Sequence, residues 1–255
     1  MSSRGARRFV FLGRSGLDKP SARDLVAHLE EAGAEVTVVR GDVGNAKHVS
    51  DAMVACTKMG QIGGVVQAAM GLHEALFSDM SSEAWHKAVV PKLAGTMNLD
   101  AALQDHGQES KLDFFLLTSS VSGSVGTATE SNYCAANAFL DAFAQWRRSE
   151  GKTAVSIGLG MISEVGYLHE NPDIEALLLR RGIHPLNEAD FLQVVDFGIA
   201  GIRAGTQHQA GLNNDPFNSS AHILTGLESL GLTRLLEQGF NVDQSSIQRV
   251  VVDGR

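Results

Sequence analysis

The sequence predicts an α/β fold built on a Rossmann-like, doubly wound parallel sheet. Three observations predict it. Short apolar runs alternate with stretches of helical periodicity along most of the 255 residues, which is the pattern of repeated βαβ units. The strand candidates are continuous apolar runs, as expected of parallel strands covered on both faces. Hydrophobic residues make up 44% of the chain, enough to build a sizeable core in one domain of this length.

Residues 8–12 (RFVFL) form the first expected strand, and the turn Gly13, Arg14, Ser15, Gly16 ends it. Helical periodicity runs over 21–33 through Leu25, Val26 and Leu29, with Gly33 as its stop. A second strand is expected over 35–39 (EVTVV), rich in β-branched residues. Asn45 is placed to cap a helix running to residue 58. A third strand follows over 64–69, then a long, mostly helical region over 82–106. The strand 113–117 leads into a loop rich in Gly, Ser and Thr, and a helix over 131–150 comes next. A fifth strand is expected at 153–157, helices at 174–181 and 187–204, and a last strand at 222–225. In the later helix Asn187 is the expected cap, with Asp190 in the first turn. The domain is expected to fill residues 1–240, with a polar tail over 241–255.

Charge and composition exclude several function classes. A formal net charge of -8 argues against a nucleic-acid footprint or an anionic membrane surface as partner. No apolar run approaches the roughly 18 residues of a membrane span. Cys56 and Cys134 fall in different elements without metal-ligand spacing, so a reduced, cytoplasmic protein is expected. The nine histidines show no zinc-binding helical pair beside a Glu, and no metal is expected. Trp85 and Trp146 read as packing residues. Arg147 and Arg148 end a helix, where the dipole favours cations, on a face expected to be solvated.

In parallel sheets the ligand gathers beyond the carboxyl ends of the strands. Gly13–Gly16, Asp42, 68–72, 119–123 and 158–162 occupy those places and are expected to line one crevice. A guanidinium at Arg14 suits a phosphate held bidentately, with Ser15 adding a hydroxyl; a solvated turn Arg is the simpler alternative. Asp42 suits either an adenine amino group or a capping role. Ser120 and Tyr133 together suit carbonyl reduction. A ketone that receives hydride at carbon needs a proton at oxygen, and a phenol is a proton donor at neutral pH. Asn137 lies one turn past Tyr133 on the same helix face. An ammonium nearby lowers a phenol's pKa by favouring the phenolate. Lys92 is the candidate for that role, although most helical lysines are simply solvated.

These segments resemble one family in both wording and order: FVFLGRSG, GDV, GVVQAAM, VPKLAGTMNL, DFFLLTSSVSGSVG, SNYCAANAFLDAFAQWRRSEG and AVSIGLGMI. They resemble the ketoreductase domain of polyketide synthases, a branch of the short-chain dehydrogenase/reductases, in wording nearest the fungal highly reducing type. The likeness covers residues 7–204. It is specific because Asn137 stands where an ordinary short-chain reductase carries Lys, while the lysine stands upstream as Lys92. The resemblance implies NADPH as cofactor and reduction of a β-ketoacyl thioester, carrier-bound or otherwise, alongside other synthase domains. It makes Tyr133 the proton donor, Ser120 the second carbonyl donor, and Lys92 with Asn137 the supporting pair. It assigns Arg14 and Ser15 to the 2′-phosphate, Asp42 and Val43 to adenine, Ala68 and Ala69 to the ribose-side wall, and Gly160 and Met161 to nicotinamide.

The sequence also departs from that family. Only residues 1–7 precede the FVFLGRSG strand, where the family has a strand, a glycine-rich loop and a helix. A sheet without that strand is expected to expose apolar surface. Leu72, His73 and Glu74 replace a frequent Leu-Asp-Asp, and Val125 stands where one stereochemical type has Trp. Two further readings follow: an inactive or split fragment serving as an interaction module, and a stand-alone reductase of small ketones. The Asn at 137 disfavours the latter.

Overall fold

The computed structural model describes residues 1–160, 162, 186–208 and 221–226, with side chains to 202 in the third of these segments. The expected helix over 174–181, Met161 and the 241–255 tail lie outside the described residues. Strand and helix alternate as predicted: β1 (Arg8–Gly13), α1 (Pro20–Glu31), β2 (Glu35–Arg40), α2 (Ala46–Met59), β3 (Gly64–Gln67), α3 (Ser82–Asp105), β4 (Phe114–Ser120), α4 (Ser122–Val125), α5 (Ser131–Ser149), β5 (Val155–Leu159), α6 (Glu188–His208) and β6 (His222–Leu224). Every strand pairing is parallel. Asn45 caps α2 by accepting from the backbone N–H groups of Lys47 and His48. Asn187 likewise accepts from Asp190 N, at 2.8 Å.

The strands divide into two ladders, β1–β2 and β3–β4–β5–β6. They share one core, because Leu12 of β1 packs on the same buried cluster as Val49, Met53, Leu103, Phe115, Leu117 and Leu140. Burial differs sharply between them. In β4 and β5 most residues are buried, whereas no residue of β1 or β2 is. Coverage of both faces, expected for every strand, therefore holds only for β4 and β5 of the second ladder. Phe11 and Val66 keep more than a third of their surface exposed, in keeping with the apolar exposure expected from the sequence.

Several boundaries differ from expectation, β3 among them, which ends at Gln67 and not at 69. β4 extends to Ser120, so the two serines sit in the strand and not beyond it. The loop after it closes into the one-turn helix α4. β5 starts two residues late, because Ala154 precedes the ladder that begins Leu116↔Val155. Arg147 overturns the expected solvated face. It is fully buried, paired with Asp100 and Glu109, and its guanidinium lies 4.6 Å from the Phe115 ring centre. Sequence periodicity marks the helix end but not the two carboxylates that approach from α3 and the 109–111 turn.

Candidate active site

β4 and α5 carry the centre of the site, and α3 crosses it. Gly95 lets α3 lie close to the sheet: a Cβ there would fall 2.7 Å from Val43 Cγ1 and 2.9 Å from Gln67 Nε2. Pro91 has no N–H, so its ring interrupts the helical ladder just before Lys92. Gln67, buried at the end of β3, donates to the Pro91 carbonyl at 2.9 Å and accepts from Ala69 N at 3.0 Å. It thereby ties α3 to the Ala68–Ala69 turn.

Lys92 is only 2% exposed and is not the solvated helix lysine that statistics favour. Its ammonium donates to the Thr118 carbonyl at 2.8 Å and lies 5.8 Å from the Tyr133 ring centre. Burial pulls its pKa down to about 8, and the charge of Asp141 opposes that fall. Asn137 is fully buried. Its amide donates to the Tyr133 carbonyl at 2.8 Å, and its Oδ1 has no partner among the described residues. Burial pushes the Tyr133 phenol up, while hydrogen bonds from Ser120 and Asn137 pull it down. Lys92, Ser120, Tyr133 and Asn137 thus come together.

The neighbouring hydroxyls take different roles. Ser119 donates to the Asn137 carbonyl at 3.2 Å, facing α5. Ser120 accepts from Ser122 N and meets Ser122 Oγ, both at 3.2 Å, which folds α4 back over the strand end. Gly123 lets α4 lie directly against α5, since a Cβ there would sit 2.8 Å from Ala138 N. Val121 N bonds the Leu159 carbonyl at 2.9 Å, joining the end of β4 to the end of β5. Beyond it, Gly160 N donates to Thr225 Oγ1 at 3.1 Å.

The opposite wall is built from the first ladder. Gly41 N bonds the Gly13 carbonyl at 3.1 Å, placing the Arg14–Ser15 turn next to the Asp42 loop. Arg40 pairs with Asp18 at 2.9 Å, whereas Arg14 makes no ion pair among the described residues. Asp42 accepts from Gly44 N at 2.8 Å, a local turn bond that leaves its other oxygen to spare. Asn98 holds the Val43 carbonyl at 3.0 Å.

Several residues of the site escaped the sequence reading. Asn132, fully buried, donates to the carbonyls of His73 and Ala84 at 3.1 and 3.0 Å and so holds the segment before α3 against α5. Ala75 N bonds the Thr129 carbonyl at 2.9 Å beside it. Glu130 there is pushed up to about 7, first by burial and then by the charge and hydrogen bond of Glu74. Asp141 is buried behind Asn137, accepts from Ser156 Oγ at 2.6 Å and lies 3.4 Å from His222 Nε2. The i, i+4, i+8 spacing of Tyr133, Asn137 and Asp141 is legible in the sequence and is the signal for the last of these.

Comparison with known proteins gives a consistent result. The KR domain family model matches residues 1–164. The highly reducing polyketide synthase virA of Hypocrea virens is 65% identical over 243 residues, covering 95% of this chain and 10% of that protein. The highly reducing polyketide synthase fogA of Aspergillus ruber is 63% identical over 248 residues, covering 97% and 10%. The chain therefore spans about a tenth of the length of these curated relatives. Among solved structures, A-type ketoreductases from a modular polyketide synthase superpose with a TM-score of 0.73 at 29% identity, over 79% of this chain and 42% of that one. The ketoreductase from the first module of phoslactomycin biosynthesis in Streptomyces sp. HK803 gives 0.67 at 30% identity, over 77% and 44%.

Proposed function

The chain belongs to the ketoreductase (KR) domain family of polyketide synthases, and on that premise we propose that it reduces a β-ketoacyl thioester to the β-hydroxyacyl thioester with NADPH. The observation that carries this reading is the buried Lys92 ammonium beside Tyr133, with Asn137 one turn along α5. A buried cation is costly, and here it lies where a phenol giving up its proton gains most from it.

The residues present fit the two ends of the cofactor. Arg14, without an ion pair among the described residues, and Ser15 suit the 2′-phosphate; Asp42, with one oxygen to spare, and Val43 suit adenine. Ala68 and Ala69 would wall the ribose side, and Gly160 would lie by the nicotinamide; Met161, which the resemblance also assigns there, lies outside the described residues. Bound there, NADPH supplies the hydride. Tyr133 gives its proton to the carbonyl oxygen and Ser120 donates a second hydrogen bond to that oxygen, stabilising the charge that develops on it. Lys92 steadies the phenolate that forms, and Asn137 keeps the Tyr133 turn of α5 in place. The substrate thioester arrives on a carrier or as a free thioester, and neighbouring synthase domains are the expected partners.

The test follows NADPH binding by fluorescence and NADPH consumption with a β-ketoacyl thioester. Binding at micromolar levels and turnover lost in Tyr133→Phe are expected; a folded chain that binds no NADPH would overturn the reading. One observation favours a second reading, an interaction module needing a complementary segment. The ladder is interrupted between β1 and β3, and no glycine-rich turn at a helix N-terminus is found for the pyrophosphate among the described residues. Failure of NADPH binding alone, restored by a complementary segment, would favour it. Equal turnover of a free ketone would favour a stand-alone reductase.

A further inference from the structure

Ser120 is the last residue of β4, and its hydroxyl is one of a row. Its Oγ accepts from Ser122 N at 3.2 Å and lies 3.2 Å from Ser122 Oγ, which also accepts from Thr127 Oγ1 at 2.9 Å. Thr127, Ser122 and Ser120 thus join hydroxyl to hydroxyl, ending at the proposed carbonyl site. The chain turns sharply to make this row. Gly126 N bonds the Ser122 carbonyl at 3.0 Å to close α4, and Gly126 takes a φ of 77°, which glycine adopts without steric cost. That turn brings Thr127 back to Ser122. The Thr127 carbonyl then accepts from Glu130 N at 3.3 Å, at the entrance to α5. Ser122 is buried and Thr127 is exposed, so the row leads from the surface into the site.

Each hydroxyl has one proton to give and can turn it either way. At rest Ser120 donates to Ser122. Once Ser120 gives its proton to an anion, one order remains: Thr127 donates to Ser122, Ser122 to Ser120, and Ser120 to the anion. The Ser120–Ser122 bond is kept in both orders, but in the second all three O–H dipoles point at the charge and each bond strengthens the next. The Ser122 N–H holds the Ser120 oxygen in place through the change. We propose that Ser122 and Thr127 are positioning residues of the reaction, whose hydroxyls fix Ser120 and align behind it as negative charge forms on the substrate oxygen and passes to Tyr133. Both act through Ser120. Tyr133 feels the end of the row: burial pushes its phenol up, and Ser120 is foremost among the groups whose hydrogen bonds pull it down.

The use of the row in turnover rests on the reductase reading, but its effect on Tyr133 can be measured without turnover. The chain has two tyrosines, so carbon-13 NMR of tyrosine labelled at Cζ follows the Tyr133 phenol against pH in the full chain, with Tyr133→Phe identifying its signal. Ser122→Ala removes the hydroxyl and keeps the backbone N–H. The Tyr133 midpoint is expected to rise in Ser122→Ala, because the lost bond is stronger behind an anion than at rest, and to return in Ser122→Thr. In a Ser120→Ala background the same substitution is expected to leave the midpoint where it is. A midpoint that stays in place in Ser122→Ala, or that moves as far without Ser120, would overturn the proposal. If Ser122→Ala does not fold, Thr127→Val at the exposed end of the row decides by the same rise or its absence. In turnover, Ser122→Ala is expected to lower kcat roughly 3- to 10-fold, the worth of one hydrogen bond, with the thioester KM and NADPH binding held; an unchanged kcat in an active chain also overturns the proposal. A midpoint that rises in a chain that reduces no thioester would overturn the reductase reading alone.

Discussion

Replacing Lys92 by Met should make the protein more stable while removing the proposed reductase activity. The ammonium is 2% exposed, and burial brings its pKa from an ordinary 10.5 to about 8. At pH 7 that fall amounts to ~3 kcal/mol of folding free energy lost to keeping the charge buried. Methionine fills a similar volume without charge but leaves the Thr118 carbonyl without the bond it now accepts at 2.8 Å, which costs ~1 kcal/mol. A net gain of ~2 kcal/mol remains, or roughly 4–8 °C in Tm for a chain of this size. The sign depends on pH in a defined way. Below about 8 lysine is charged in both folded and unfolded chains, and the wild type bears the full cost. Between about 8 and 10.5 only the unfolded chain holds the proton, so wild-type stability rises with pH and the advantage of the variant shrinks. Above 10.5 the charge contribution vanishes. Urea denaturation of both proteins at pH 7 and at pH 10 measures this. A variant less stable than wild type at pH 7, or an advantage that does not change between the two pH values, would refute the reasoning.

Other outcomes follow from the same geometry. Arg14→Ala should weaken NADPH binding by roughly 10- to 100-fold, the worth of charge-assisted hydrogen bonds to a phosphate, and leave NADH binding unchanged in a fluorescence titration. Arg147→Met strips the buried Asp100 and the half-buried Glu109 of their cation and should cost ~3–5 kcal/mol, read as a lowered urea midpoint. Glu130→Gln should stabilise the chain at pH 8 and not at pH 4. The folded-state carboxyl is raised to about 7, so the wild type loses stability as pH climbs from the ordinary carboxyl range through 7, and the amide does not.

Much of the site was legible because its chemistry lies in one short stretch. Ser120, Tyr133 and Asn137 fall within 18 residues, and helical spacing alone aligns the last two on α5. Lys92 was readable only by likeness to a family, since nothing local separates a buried lysine from a solvated one. Its burial comes from β4 and α5 closing over α3, which are tertiary events. Arg147 was misjudged for the same reason: its partners Asp100 and Glu109 are distant in the chain. Gln67 and Asn132 act by donating to backbone carbonyls, and such acceptors leave no residue signature. The alternation of strands and helices, by contrast, is written in local periodicity and appears with boundary shifts of a few residues.

The split of the strands into two ladders has a consequence for opening motions. Amide protons of β4 and β5 sit in strands lined by buried side chains and should exchange with solvent only when the whole domain unfolds. Those of β1 and β2, where no residue is buried, belong to a unit that opens at far lower free energy. Arg14, Ser15 and Asp42 sit on that loose unit, and Lys92, Ser120 and Tyr133 on the tight one. A nucleotide gripping both would spend part of its binding free energy holding the loose unit shut. Its arrival would be recorded as slowed exchange along β1 and β2, far from the atoms that exchange the proton.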